Sequence, residues 1–191
     1  MAEVAAETER LILRNWDPAD EATFYDIMNT PAVMEHLGGP QSRDAWHSAF
    51  ERILSFNRDF GHTFWLIEDR ATGELLGFCG LKRVNAPGAA DLTGTPEIGW
   101  RLRQDAWGKG YAKEAAIASL DLGFGKLGYG EIIALTIPAN LPSQQLMERL
   151  GMRRRAELDF RDMRYGDELN PAIAWSVSAA EWPAARARAL T

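Results

Sequence analysis

The chain has 191 residues and a mass of 21.3 kDa, with 46% hydrophobic and 25% charged residues. This is the size of one domain and the composition of a soluble globular protein, long enough to bury a core without disulfides or metals; fibrous, collagen-like and wholly disordered classes are excluded. Lys and Arg number 21 against 27 Asp and Glu, a net charge of −6 with a pI of about 5.2, which speaks against a nucleic-acid binder and is compatible with a cationic substrate.

Residues 1–7 are acidic at the start and lack an apolar run, so no secretory signal is read there. No stretch reaches the roughly 18 apolar residues of a membrane span, and the expectation is a cytoplasmic protein without membrane association. Residues 10–16 predict a first strand. Asp17-Pro18-Ala19-Asp20 predicts a helix start, with Asp17 as cap and Pro18 at the first helical position, followed by the stripe Phe24, Ile27 and Met28. Residues 42–60 predict a second helix, with Trp46, Phe50, Ile53 and Leu54 on one face. Segments 62–69 and 74–84 predict a hairpin around Arg70-Ala71-Thr72-Gly73, and 95–103 a fourth strand. Cys79 falls in the third strand and reads as a small core residue; alone in the chain, it forms no internal disulfide and fits a reducing compartment. Further on come a helix over 109–127 before Gly128, a strand over 131–137, a helix over 141–150 before Gly151, strands over 153–160 and 172–178, and a terminal helix over 179–190.

The informative stretch runs from Glu97 to Ala115, where a strand, a glycine-bearing turn and a helix succeed one another. Free N–H groups at a helix start, together with the helix dipole, form a phosphate site, and Gly108 and Gly110 have no Cβ to keep a pyrophosphate away. A tight strand-to-helix turn without ligand has the same pattern. Two nucleotide motifs are excluded: Lys113 stands where a dinucleotide fingerprint needs its third glycine, and Lys109 is followed by Gly110 rather than Ser or Thr. Downstream, Asn140 lies between a strand and a helix. It reads as an N-cap or as an amide that contacts a ligand.

Taken together, these two segments resemble the GNAT superfamily of acyl-CoA-dependent N-acyltransferases, in particular the branch of RimJ and RimL, the ribosomal-protein N-terminal acetyltransferases. The resemblance rests on Trp107-Gly108-Lys109-Gly110-Tyr111-Ala112, on Asn140-x-x-Ser143 followed by Leu150-Gly151, on 8–14 at the start, on Gly77 with Leu81, and on Ala174-Trp175-Ser176-Val177. It covers nearly the whole chain. It implies one domain over 1–191, of class α/β (α+β): a mixed, mostly antiparallel sheet of about seven strands flanked by helices and splayed between the fourth and fifth. It also implies that acetyl-CoA is the cosubstrate, held by Leu102, Arg103, Trp107, Gly108, Lys109, Gly110, Tyr111, Ala112, Asn140 and Ser143. Three residues depart from the family pattern: Asp105 where Gln or Arg is frequent, Met147 where some branches carry a Tyr acid, and Met152 where Phe is usual.

The implied reaction moves an acetyl group to an amine. An alkylammonium with a pKa of about 10.4 must lose a proton before attack, and the carbonyl oxygen needs N–H donors as charge develops on it. The resemblance places a splay at Gly99-Trp100, where a bulge would free an N–H; Gly99 could equally serve packing. Glu97 shares a strand face with Gly99 and is the candidate general base, against the plain alternative of a salt-bridged strand glutamate. Ser143 is the candidate near the thioester sulfur, against that of an ordinary first-turn serine.

Weaker candidates are His36 and His62 as bases, with His62 expected at the surface, and Arg153-Arg154-Arg155 as a phosphate contact or a solvated strand end. His47 is expected to be solvated. No metal-ligand spacing is present. The expected acceptor is a protein N-terminus or a small-molecule amine, bound under 17–60 against Trp46 or Phe50 and attracted by Glu21, Asp26 or Glu35. A non-catalytic acyl-CoA-binding regulatory module is the alternative. Either a monomer or a homodimer fits.

Overall fold

The computed structural model describes residues 2–191. Among the described residues eight strands form one sheet: β1 (Val4–Glu7), β2 (Leu11–Arg14), β3 (Phe64–Asp69), β4 (Leu75–Arg83), β5 (Pro96–Leu102), β6 (Glu131–Thr136), β7 (Arg153–Arg154) and β8 (Ile173–Ser178). Their spatial order is β1-β2-β3-β4-β5-β6-β8-β7. The β5–β6 pair is parallel and the other pairs are antiparallel. A parallel pair requires a crossover, and α4 (Tyr111–Asp121) supplies it.

The strands bury both faces by alternation. On β3, Trp65 and Ile67 join a core with Ala115, Ala116 and Leu120 of α4, with Leu146 and Met147 of α5 (Leu141–Arg149), and with Trp182 and Ala185 of α6 (Trp182–Ala189). Leu66, between them, faces the opposite way. It joins Phe24, Met34, Trp46 and Phe50 from α1 (Asp20–Met28), α2 (Pro31–Met34) and α3 (Arg43–Phe60). Helix α3 keeps its expected limits: Ser42 accepts the Ala45 N–H at 3.3 Å, and Gly61 ends the helix with φ +73°.

Several elements depart from the sequence reading. The strand β1 went unpredicted because Val-Ala-Ala-Glu has little β-propensity; it exists by pairing at the sheet edge with β2. The first helix begins at Asp20, not at Pro18. Asp17 accepts the Ala19 N–H at 3.0 Å, while Asp20 is turned to Arg14 at 2.8 Å and to the Asp17 N–H at 2.7 Å. The strand expected over 153–160 is only two residues long. Asp159 takes the Ala174 N–H at 3.1 Å in place of a ladder bond and pairs with Arg154, so the chain detours through a 3₁₀ turn (Ala156–Leu158). The helix expected over 109–127 starts at Tyr111 and widens after Asp121 into a π-turn, Leu122–Lys126. A Cβ on Gly123 would lie 2.6 Å from Ile132 and 2.7 Å from Leu81, so glycine lets this turn press onto the sheet.

One feature of the sheet positions everything that follows. β5 pairs with β6 only at Glu97↔Ile133 and Ile98↔Ala134, while its register with β4 is regular from Pro96 to Leu102. Beyond Ile98 the two parallel strands diverge and leave an opening in the middle of the sheet.

Candidate active site

A cavity of about 710 Å³ occupies that opening and draws its lining from both faces of the sheet. On one side lie the α4 and α5 N-termini, on the other α2, its following turn and the 160–172 loop.

The α4 side is built from backbone. Gly108 and Gly110 take φ +72° and +80°, which side-chain-bearing residues rarely adopt, and Gly110 is the N-cap without any side-chain cap bond. The first helical bond here is Glu114 N–H to Gly110 O at 3.1 Å, so the N–H groups of residues 108–113 have no protein acceptor among the described residues. A row of free donors at the positive end of a helix dipole fits an anionic group such as a phosphate. The loop is braced by Arg10, which sequence reasoning did not single out for this role. Its guanidinium donates to Lys109 O at 2.9 Å and to Glu114 at 2.7 Å, and lies 4.6 Å over the Tyr111 ring. Burial alone would raise the Glu114 pKa, but hydrogen bonds from Thr8 and Arg10 hold its carboxyl below the usual range.

The predicted site residues divide around this loop. Trp107, Gly108, Gly110, Tyr111, Ala112 and Leu102 line the cavity, and the Trp107 indole donates to Leu102 O at 2.7 Å. Arg103 and Lys109 do not line it. Arg103 is engaged by Asp105 through two 2.6 Å bonds, so the unusual acid at this position ties down a neighbouring cation. Asn140 and Ser143 both line the cavity. Asn140 also caps α5, accepting the Ser143 N–H at 3.2 Å, while the Ser143 hydroxyl has no protein partner among the described residues. Met147 is buried in the core against the cavity and offers no proton.

On β5, alternation sends Glu97, Gly99 and Arg101 to one face and Ile98, Trp100 and Leu102 to the other. Arg103 N–H bonds Leu76 O on β4 at 2.8 Å, so by alternation the main-chain groups of Trp100 point toward β6. The β5–β6 ladder has already ended there, so the Trp100 N–H faces the opening unpaired. The sequence reading placed a bulge at this point; instead, strand divergence frees the donor. Gly99 serves packing: a Cβ there would lie 2.9 Å from the Phe64 ring, which stacks on Phe78 at 4.9 Å. Glu97 lines the cavity and is ion-paired with Lys82, its cross-strand neighbour.

The α1–α3 side of the cavity is made of side chains from separate segments. His36 and Glu35 come from the turn after α2. Asp162, buried under the loop, pairs with Arg164 at 2.5 Å; burial would raise its pKa, and the guanidinium and N–H bonds from Arg164 more than reverse that. Arg101 reaches in from β5, over the Phe78 ring at 5.2 Å. Arg101, Asp162 and Arg164 were not among the sequence candidates. The one available signal was Arg101 as a charged residue within a strand read from the sequence.

Other expectations resolve plainly. Trp46 and Phe50 are core residues, 5% and 2% exposed, and line no part of this cavity. Glu21 is held by His47 at 2.9 Å and Asp26 lies near Arg43 at 3.5 Å, so of the three proposed acids only Glu35 lines the cavity. His62 is buried, contrary to the surface placement expected. Its Nδ1 is 2.9 Å from Leu81 O and its Nε2 is 2.7 Å from the Tyr129 hydroxyl, away from the cavity. His47 is largely exposed, as expected. Cys79 is fully buried, and desolvation pushes its thiol up to about 12. Arg153, Arg154 and Arg155 are each paired with acids and line no cavity. Among the described residues no helix is long and apolar enough to cross a membrane, and no group of three or more His, Cys, Asp or Glu could hold a metal ion.

Comparison with known proteins places this arrangement. The sequence is 47% identical over 150 residues to the uncharacterized N-acetyltransferase YnaD of Bacillus subtilis, covering 77% of this chain and 81% of that one. It is 34% identical over 146 residues to the protein YkkB of the same organism, covering 76% and 83%. An acetyltransferase structure from Agrobacterium tumefaciens matches with a TM-score of 0.73 at 27% identity, covering 90% of this chain and 92% of that one. The family model described as "Acetyltransferase (GNAT) domain" matches residues 10–153, and with the open mixed sheet and the free N–H cradle at its centre, the chain belongs to the GNAT acetyltransferase family.

Proposed function

We propose that this chain transfers an acetyl group from acetyl-CoA to a primary amine by direct attack in a ternary complex formed across the β5–β6 opening. The observation that carries the reading is the cradle of unpaired N–H groups at 108–113 on one side of a cavity that continues, past a free Trp100 N–H, to a polar chamber on the other. The cradle suits a pyrophosphate, with Asn140 and Ser143 along the cavity wall. The Trp100 N–H is placed to donate to the acetyl carbonyl oxygen as charge develops on it. The protein N-terminus and the small amine are both acceptors the reading admits, and the RimJ/RimL-like motifs are what recommend the first.

Glu97 is the group we assign to proton removal. An alkylammonium is a far weaker acid than a carboxylic acid, so direct transfer of its proton to a carboxylate is strongly uphill. Its role is therefore to draw the ammonium in and order water, which carries the first proton off to solvent before attack, and then to accept the second N–H proton as carbon–nitrogen bonding makes that proton acidic. Lys82 fixes the carboxylate in place for this. Ser143 is placed to donate a hydrogen bond to the departing thiolate, which with a pKa of about 8.5 needs little more. The rest of the rate comes from holding a neutral amine near the thioester.

Calorimetric titration of acetyl-CoA followed by thiol release with an amine panel tests this. Micromolar binding and amine-dependent release are expected. Binding without release for any amine would favour the regulatory module, and no binding would remove the reading.

A further inference from the structure

Arg101 is a cation without a counter-charge. It is half-buried on the Glu97–Gly99 face of β5, over Phe78, and what remains open of it faces the cavity. No carboxylate lies within ion-pair distance of it among the described residues. Its one side-chain hydrogen bond among the described residues goes to Met34 Sδ at 3.5 Å, a weak acceptor. The other cations here are spent: Lys82 on Glu97, Arg164 on Asp162. Burial draws the Arg101 pKa down to about 10, which still leaves it charged at neutral pH. A desolvated guanidinium costs stability unless a partner offsets it, and none is present among the described residues.

The coenzyme is not that partner. The phosphate cradle opens from the α4 side, whereas Arg101 projects to the α1–α3 side with Phe78 and Met34. The Tyr165 hydroxyl, from the loop roofing the same chamber, also lacks a protein partner among the described residues. One free positive charge beside a phenol donor, enclosed under α2 and the 160–172 loop, matches a single carboxylate better than a doubly charged phosphate.

We propose that Arg101 anchors a carboxylate of the acceptor, so that the amines this enzyme acetylates are small amino acids in the broad sense: an amine and a carboxylate on one molecule. The proposal rests on the acetyltransferase reading above and narrows its acceptor. Glu97 and Arg101 lie two residues to either side of Gly99 on one strand face, about 13 Å apart along the strand, so their side chains must converge on the chamber, the amine end drawn to the carboxylate and the acid end held by the guanidinium.

The test uses matched pairs, α-amino acids and longer amino acids each beside its primary amide, with short C-terminally amidated peptides as a third arm and thiol release as readout. Expected is a preference of at least tenfold in kcat/KM for acids over amides in the wild type. In Arg101→Met that preference collapses, with KM for the acids rising about 10- to 100-fold and KM for the amides changing less than threefold. Arg101→Met is also expected to hold or raise Tm, since it removes an unpaired buried charge. Primary amides, or peptides amidated at the C-terminus, acetylated as well as the acids by the wild type would overturn the anchor and leave the acetyltransferase reading standing; this comparison needs no variant. Equal losses for acid and amide in Arg101→Met, with a lowered Tm, would mark a structural arginine and overturn it too. No thiol release with any amine would remove both.

Discussion

On the α4 side of the opening, the groups fit to hold a ligand are main-chain donors from six consecutive residues, 108–113. On the α1–α3 side they are the side chains of Glu97, Arg101, Asp162 and Arg164, brought from two distant segments, with a third segment supplying His36. The first side depends on φ angles and a helix start, features that a short stretch of sequence dictates. The second depends on which strand register and which loop happen to meet. A backbone site tolerates changes of side chain, so the α4 side keeps its form with Asp105 and Met147 beside it. A side-chain site changes its ligand whenever one residue changes, so on the proposed reading the α1–α3 side carries the specificity.

This contrast can be broken most forcefully at Gly110. Gly110→Trp places an indole in the cradle and a side chain at φ +80°; acetyl-CoA affinity is expected to fall at least 100-fold by calorimetry, with the fold checked by circular dichroism. An unchanged affinity would mean the donors at 108–113 hold nothing. Glu97→Gln tests the other half. It should lower kcat about 100-fold and leave acetyl-CoA affinity within threefold, because the carboxylate lies on the acceptor face. A fall in affinity with kcat intact would move Glu97 out of the role assigned to it.

Arg10→Ala sharpens the comparison at lower amplitude. It removes the brace to Lys109 O and Glu114 without touching a donor, so acetyl-CoA affinity should weaken about fivefold with kcat retained. The smallest effect lies outside both halves, at His62. Burial disfavours its cation and lowers its pKa beneath the ordinary 6.5. The unfolded chain therefore takes up the proton first as pH falls. Stability is whole above about pH 6.5 and declines as the pH drops toward the lowered folded value. Thermal melts from pH 8 to 5 should show this decline, and His62→Gln should flatten its share of the slope.

Sequence alone determined most of the framework. Helix α3 was legible because Ser42, an apolar stripe and Gly61 all agree. The strand-to-helix turn with its free N–H groups was legible because Gly108 and Gly110 between a strand and a helix state their φ requirement locally. Tertiary structure decided what local signals cannot encode. β1 forms only because β2 offers an edge, and β7 stops after Arg154 because Asp159, five residues on, takes over a ladder bond from Ala174. His62 is buried because Leu81 O and the Tyr129 hydroxyl satisfy both ring nitrogens. Arg101 reads as one more charged residue in the chain, and only the packing of Phe78, Met34 and the covering loop shows that it has been brought inside without a partner. The physical reason is common to these cases: conformational preference acts over a few residues, whereas burial and charge pairing are settled by segments tens of residues apart.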